Sequence, residues 1–380
     1  MLSEKLKIGI IFGGKSVEHD ISILSMLQVY HAIDKDKYHI VPFYITKNND
    51  ILTGNKLFEI ETYQNNNFDK CKMITFVKQS NLLYYYDLKR RKKIDTIDLF
   101  IPVLHGAGVE DGTVSAYLDF LNIPYTSSKH TISAVFQDKV LTKYVLKELN
   151  IPTLSCVSIN KYTYNHHHLP KLIKDIEFPI IIKPYNLGSS IGIKVVHTIE
   201  EATLHINEVF KLTDQIIIEK ALVNYKEYNQ AIFKEISNYH ISLVEEVSTT
   251  NEMLTFTDKY EQGLNKISNT SNRTIPAIIS NELLEQITFY TKKIYKSLQV
   301  RGVIRIDYLY DTDNNQLYVN EINTIPGSYA FYLYDKLDIS FKELLNKLIK
   351  NALYEHKQKN KLLNTFYSNV LSKNNKSIKK

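Results

Sequence analysis

The chain predicts an α/β protein whose first unit is built on a parallel sheet, with two further α/β units behind it. Three observations carry that expectation. Apolar strand-like runs alternate with helix-like spacing from residue 7 to 121, the pattern of a sheet with parallel crossovers. A second set of strands, centred on FPIIIKP (178–184), brings its own helix at 199–210. A third ends in RIDYLYDTDNNQLYVNEINTIPG (305–327), two strands joined by the polar turn Asp311–Asn315.

In the first unit, KIGIIF (7–12) is a strand, residues 22–33 a helix and YHIVPFYI (38–45) a second strand. IDLFIPVL (97–104) is a third strand running into His105-Gly106, and residues 113–121 are helical. The polar, Asn- and Tyr-rich span 52–95 reads as an insertion carrying one hairpin (74–77 and 82–87), with Tyr84–Tyr86 as strand residues. The second unit opens near Ser128. Residues 131–149 have helical spacing and Pro152 follows their end; IGIKVV (191–196) pairs with the 178–184 strand. QIIIEKAL (215–222) leads into the third unit. There, strands at 227–233 and 240–247 precede a Ser/Thr/Asn-rich loop (248–275), a helix at 279–298, the hairpin and a closing helix at 340–353.

Composition narrows the function classes. The chain has 380 residues, 44% hydrophobic and 23% charged, which is ordinary for a globular protein. No apolar run approaches the ~20 residues of a membrane helix. MLSEKLKIGIIFGG reads as a first strand and not as a signal peptide. Two cysteines, Cys71 and Cys156, make no disulfide framework and suit a reducing cytoplasm. The net charge of +6 suggests nucleic acid only until it is located: residues 356–380 hold seven lysines and no acid, so the body is close to neutral. We read 356–380 as a frayed basic tail and expect neither a nucleic-acid nor a membrane partner.

Four segments carry chemistry. In the hairpin, pairing of 310 with 316 places 305 opposite 321, so Arg305, Asp307, Glu321 and Asn323 share one face and the Ile/Tyr face packs inward. Two carboxylates and an amide oxygen suit Mg²⁺ carrying a nucleotide phosphate, and the arginine suits an anion. Lys183 ends a buried strand and is followed by Tyr185-Asn186-Leu187-Gly188-Ser189-Ser190-Ile191-Gly192, amides and hydroxyls fit for phosphate. HGAGVEDG (105–112) follows a strand's carboxyl end, where open α/β sheets bind ligands. GIIFGGKS (9–16) matches a phosphate loop literally, but Gly9 belongs to the strand and only Gly13-Gly14 turns. Glu18 beyond it either meets a substrate ammonium or faces the helix dipole. The run His166–His168 lies in a polar loop without ligand partners.

Together these segments resemble the D-alanine–D-alanine ligases of the ATP-grasp superfamily over about residues 7–350, through GGKSVEHDIS (13–22), HGAGVEDG (105–112), IIKPYNLGSSIG (181–192), DKY (258–260) and RID…NEINTIPG (305–327). The resemblance implies a three-domain ATP-grasp architecture: an N-terminal substrate domain (1–127), a central subdomain (128–217), a C-terminal metal-binding subdomain (218–355) and the tail. It places Lys139, Lys183, Ser189, Ser190 and Lys259 around the ATP phosphates, Glu219 and the Lys220-Ala221-Leu222 backbone at adenine, and Glu227 at ribose. Asp307, Glu321 and Asn323 would hold two Mg²⁺, with Mn²⁺ as a substitute. Glu18 and His105 would bind the first D-alanine, Ser189 and Tyr260 would complete a network with Glu18, and Arg305 with the Gly327 amide would stabilise an oxyanion. Ser328, Tyr332 and Leu333 would meet the acceptor. A homodimer is implied as well.

Three departures bear on specificity. Val109 replaces a glycine of the family's H-G-x-x-G-E-D-G, the loop reads Phe256-Thr257-Asp258-Lys259-Tyr260, and Tyr332 stands where many members carry a small hydroxyl residue. Tyr260 resembles the dipeptide-forming type. The alternatives are a ligase joining another acceptor, a phosphate-loop NTPase using Lys15, and a silent ATP-binding paralogue.

Overall fold

The computed structural model describes residues 5–247, 273–363 and 365. Its first sheet has seven strands: β1 (Leu6–Gly13), β2 (Tyr38–Ile45), β3 (Ile51–Thr53), β4 (Lys72–Gln79), β5 (Leu82–Asp87), β6 (Lys92–Ile97) and β7 (Leu99–Val103), in the order β6-β5-β4-β3-β2-β1-β7. β1 lies parallel to both β2 and β7, as the alternation of strands with α1 (His19–Ala32) requires. The span 52–95 contains the expected hairpin as β4–β5, but it is not a separate insertion: with β3 and β6 it lengthens this sheet by antiparallel strands. The reason is its period-two pattern: Ile74, Phe76, Leu83 and Tyr85 are buried in the same core as Phe43 and Phe100. Phe43 meets Phe76 and Tyr85 at centroid distances of 4.9 and 5.2 Å.

α2 (Thr113–Phe120) follows β7. The expected single helix over 131–149 is two, α3 (His130–Gln137) and α4 (Lys139–Glu148). Asp138 divides them because its carboxylate accepts from Val140 N at 2.8 Å and Leu141 N at 3.0 Å, capping α4. The second sheet orders β8 (Cys156–Asn160), β9 (Ile180–Pro184), β10 (Lys194–Val196) and β11 (Gln215–Lys220) as β10-β9-β11-β8. α5 (Ile199–Val209) covers it through Ala202, Ile206 and Val209.

The third sheet runs β15-β14-β12-β16-β17, with β13 paired to β12. Its strands are β12 (Tyr225–Glu235), β13 (Asn238–Ile241), β14 (Glu245–Val247), β15 (Arg273–Thr274), β16 (Val303–Asp311) and β17 (Gln316–Asn323). α6 (Asn281–Ser297) buries Leu283, Ile287 and Ile294 against Ile304, Ile306 and Tyr308. The segment after β17 lies between its own sheet and the first. Ile325, Tyr329, Ala330, Leu333 and Tyr334 share one core with the first sheet and with Ala231, Phe233 and Val303 of the third, Tyr334 meeting Phe233 at a centroid distance of 5.3 Å, and α7 (Phe341–Lys359) follows. That crossing joins the two ends of the chain around the site.

α7 carries a Ser340/Glu343 capping box and extends six residues past the expected end at 353. Lys359 reaches Asp119 at 2.9 Å, and Asn360 meets Asn122 at 3.2 Å. The first residues of the expected tail therefore pack on the body; 364 and 366–380 lie outside the described residues. Deletion after residue 363 is expected to leave turnover and Tm unchanged. Deletion from 356 is expected to lower Tm slightly, since a partly exposed ion pair contributes about 1 kcal/mol or less. Thermal melts of both truncations check this.

Candidate active site

β1 ends in Gly13-Gly14, whose φ values of +87° and +97° are left-handed and turn the chain into α1. Gly9 lies inside β1, where a Cβ would meet Phe100 at 2.7 Å and Phe43 at 2.8 Å, and Lys15 is exposed. A phosphate loop on Lys15 thus lacks its first turning glycine. Glu18 is buried at the foot of α1. Ser189 Oγ, from the loop after β9, donates to Glu18 Oε1 in a very short hydrogen bond. A Cβ on Gly188 would fall 3.1 Å from both Glu18 oxygens, and one on Gly106 would fall 2.8 Å from Oε2. Glycine at both positions gives the carboxylate its room. His105 is buried beside this group, with Nε2 3.1 Å from Ser25 Oγ, and burial pushes its imidazole down to about 4, so it is neutral at pH 7.

The second sheet supplies the cations. Lys183, at the end of β9, sits 2.7 Å from Glu219 on β11, and Lys143 of α4 sits 2.5 Å from the other Glu219 oxygen. Burial alone would raise the Glu219 carboxyl, but Lys183 and Lys143 overcome it and hold it near about 2. Lys139 donates to Leu187 O at 2.7 Å, inside the loop that follows Lys183. Lys143 escaped the sequence reading. Its signal was the four-residue spacing from Lys139, which places both on one helix face. Ala221 N–H donates to Pro179 O at 2.9 Å, exposed Lys220 pairs with Glu177 at 2.9 Å, Leu222 follows at the strand exit, and Glu227 lies half-buried on β12.

The β16–β17 register differs from the expected one. Tyr310 pairs with Leu317 and Asp311 with Gln316, not 310 with 316, and a bulge at Asn320 then shifts the ladder so that Asp307 faces Glu321 and Arg305 faces Asn323. Without the bulge, this register would turn Glu321 and Asn323 away from Arg305 and Asp307. The bulge restores the cluster, while the shifted register on the turn side of it leaves Tyr318 out of the inward-packing set, on the site face beside Leu309. Arg305 grips Asp307 through Nε at 2.6 Å and Nη2 at 2.8 Å, and Asn323 Nδ2 donates to Asp307 Oδ2 at 3.0 Å. Lys183 reaches Asn320 Oδ1 at 3.3 Å, linking the cation group to the hairpin.

This donor set fits Mg²⁺. Among the described residues no group of three or more His, Cys, Asp and Glu is spaced to hold a metal. The hairpin offers two carboxylates and an amide oxygen, the partial set typical of Mg²⁺ that completes its shell with water and phosphate oxygens.

Beyond Pro326, a Cβ on Gly327 would meet nothing within 4 Å, so open space adjoins its backbone. Ser328, Tyr329 and Ala330 all have left-handed φ, an unusual run for non-glycine residues. Ser328 Oγ donates to Gln28 of α1 in a very short hydrogen bond. Tyr332 OH donates to Glu245 at 3.0 Å, and Glu245 also faces Arg273 at 3.3 Å; Leu333 is buried. Glu245 and Gln28 had no motif around them that could have marked them. Lys259 and Tyr260 lie outside the described residues, as does the DKY segment. His166–His168 form an exposed turn.

Family models for the D-ala D-ala ligase N-terminus and C-terminus match residues 7–128 and 145–350. The chain belongs to the D-alanine–D-alanine ligase family. A Thermosipho africanus D-alanine–D-alanine ligase is 35% identical over 369 residues, covering 96% of this chain and 98% of that protein. One from Clostridium acetobutylicum is 32% identical, covering 92% and 98%. Among solved structures, the VanG D-Ala:D-Ser ligase of Enterococcus faecalis superposes with a TM-score of 0.77 at 25% identity, covering 92% of this chain and all of that one. The Coxiella burnetii D-alanine–D-alanine ligase superposes with a TM-score of 0.81 at 24% identity, covering 94% and 97%. The fold is therefore the three-domain ATP-grasp architecture of this family.

Proposed function

We propose that this protein joins two D-alanines into D-alanyl-D-alanine for peptidoglycan synthesis, with ATP as co-substrate. One observation carries the reading. The Ser189–Glu18 contact sets an ammonium-binding carboxylate directly against the phosphate loop that follows Lys183. A first amino acid held by Glu18 and neutral His105 then has its carboxylate facing the γ-phosphate. Lys139 and Lys183 neutralise and orient the phosphates, since phosphoryl transfer needs positioning and charge more than covalent help. Glu219, the Lys220–Leu222 backbone and Glu227 border the nucleoside. Asp307, Glu321 and Asn323 would hold Mg²⁺, which would supply charge neutralisation at the phosphates. Attack on the γ-phosphate gives an acyl phosphate and ADP. The second amine attacks that carbonyl, Arg305 and the Gly327 amide stabilise the oxyanion, and phosphate leaves. Ser190, Lys259 and Tyr260 complete the phosphate and substrate shell in this reading.

Purified protein with Mg-ATP and D-alanine is expected to release phosphate and yield a product with the mass of D-alanyl-D-alanine, with none from L-alanine. ATP turnover without that dipeptide would reject the acceptor.

A second reading, a different acceptor amino acid such as the D-serine named for VanG, is raised by Tyr332. Where a small hydroxyl residue could hold the acceptor carboxylate, this side chain is committed to Glu245. Dipeptide formation in mixtures of D-alanine and D-serine separates the two readings. Among the described residues no helix is long and apolar enough to cross a membrane. A cytoplasmic homodimer completes the proposal, and sedimentation tests its stoichiometry.

A further inference from the structure

We propose that Glu110 is a positioning residue that ties the 105–112 loop to the Ile325–Gly327 turn, setting the distance between the groups holding the first amino acid and the Gly327 amide. This rests on the roles given above to Glu18, His105 and Gly327. Glu110 Oε2 accepts from Gly106 N–H at 3.0 Å. Its Oε1 accepts from Ile325 N–H, also at 3.0 Å, across 215 residues of chain. Each partner adjoins the site. Gly106 packs on Glu18 so closely that a Cβ there would lie 2.8 Å from Oε2, and Ile325 is two residues before Gly327. His105 of the same loop also interacts with the Ile325 backbone carbonyl, so the residue is held through both its N–H and its C=O. Burial, with the charge of Glu18, pushes the Glu110 carboxyl up to about 8, against the opposing pull of its two amide bonds. An acid kept at that cost between two loops is a spacer that other side chains of its length cannot replace. Glutamine retains the size but accepts through one atom only, and aspartate is too short to span both amides.

The two half-reactions read this role separately. Formation of the acyl phosphate needs the donor groups and ATP, and is followed by trapping the intermediate with hydroxylamine. Dipeptide formation needs the Gly327 turn as well. In Glu110→Gln, hydroxamate yield is expected to stay within about 3-fold of wild type while the dipeptide rate falls about 10–100-fold, the scale of a misplacement near 1 Å. Equal loss in both assays, or no loss in either, overturns the proposal. Should the glutamine variant fail to fold, Glu110→Asp is subject to the same comparison. A wild-type protein that traps no hydroxamate overturns the ligase reading itself and takes the role of Glu110 with it, an outcome distinct from a loss confined to the variant.

Discussion

Arg305→Ala is expected to lower kcat for dipeptide formation by about 10²–10³-fold, the range for removing one oxyanion donor, with little change in ATP affinity. The guanidinium is fixed before any substrate arrives, because both of its contacts to Asp307 are short and parallel. It therefore costs no reorganisation when charge develops on the reacting carbonyl. Arg305→Lys is expected to recover little, since an ammonium cannot make the two-point contact and leaves Asp307 less well oriented. Steady-state phosphate release together with product quantification measures both variants. A kcat within 10-fold of wild type for Arg305→Ala would remove Arg305 from the oxyanion role.

Lys183→Ala is expected to abolish nucleotide turnover, and Lys15→Ala to change it less than about 2-fold. The contrast follows from placement. Lys15 is exposed on a turn whose upstream glycine is locked in β1, whereas Lys183 is buried beside the loop expected to hold phosphate. Lys183 also neutralises Glu219, which is 1% exposed. Breaking a buried pair costs about 3–5 kcal/mol when a charge is stranded; Lys143 remains on the carboxylate and reduces that cost. A lower Tm should thus accompany the lost activity. Lys183→Met, which keeps the aliphatic stem, separates packing from charge. Loss of turnover in Lys15→Ala with Lys183→Ala active would instead restore the phosphate-loop alternative.

Much of this was legible without coordinates, and the reason differs by element. β1, β2 and β7 announce themselves through continuous apolar runs, because parallel strands are covered on both faces. Lys183 and the Gly-Ser-Ser loop were visible because a lysine leaving an Ile-Ile-Ile strand has few structural uses. The hairpin acids were visible because period-two alternation sets Arg305 with Asp307, and Glu321 with Asn323, on common faces of their strands. In the 52–95 span the hairpin of Ile74, Phe76, Leu83 and Tyr85 was legible from its period-two spacing, but the short β3 and the polar β6 that build it into the first sheet were not. Lys143 was passed over because a lysine on an amphipathic helix looks solvated until β11 brings Glu219 against it.

The sequence by itself determined the residue types and their local placement: glycines where the chain must turn and carboxylates on alternate strand positions. These follow from backbone sterics and short-range periodicity. Only the tertiary structure decided which groups meet. The bulge at Asn320 set the face of Glu321 and Asn323, because one extra residue reverses every side chain beyond it. Packing of Ile325–Tyr334 between the first and third sheets brought Gln28 and Glu110 to the Gly327 turn, across chain separations that no local pattern encodes.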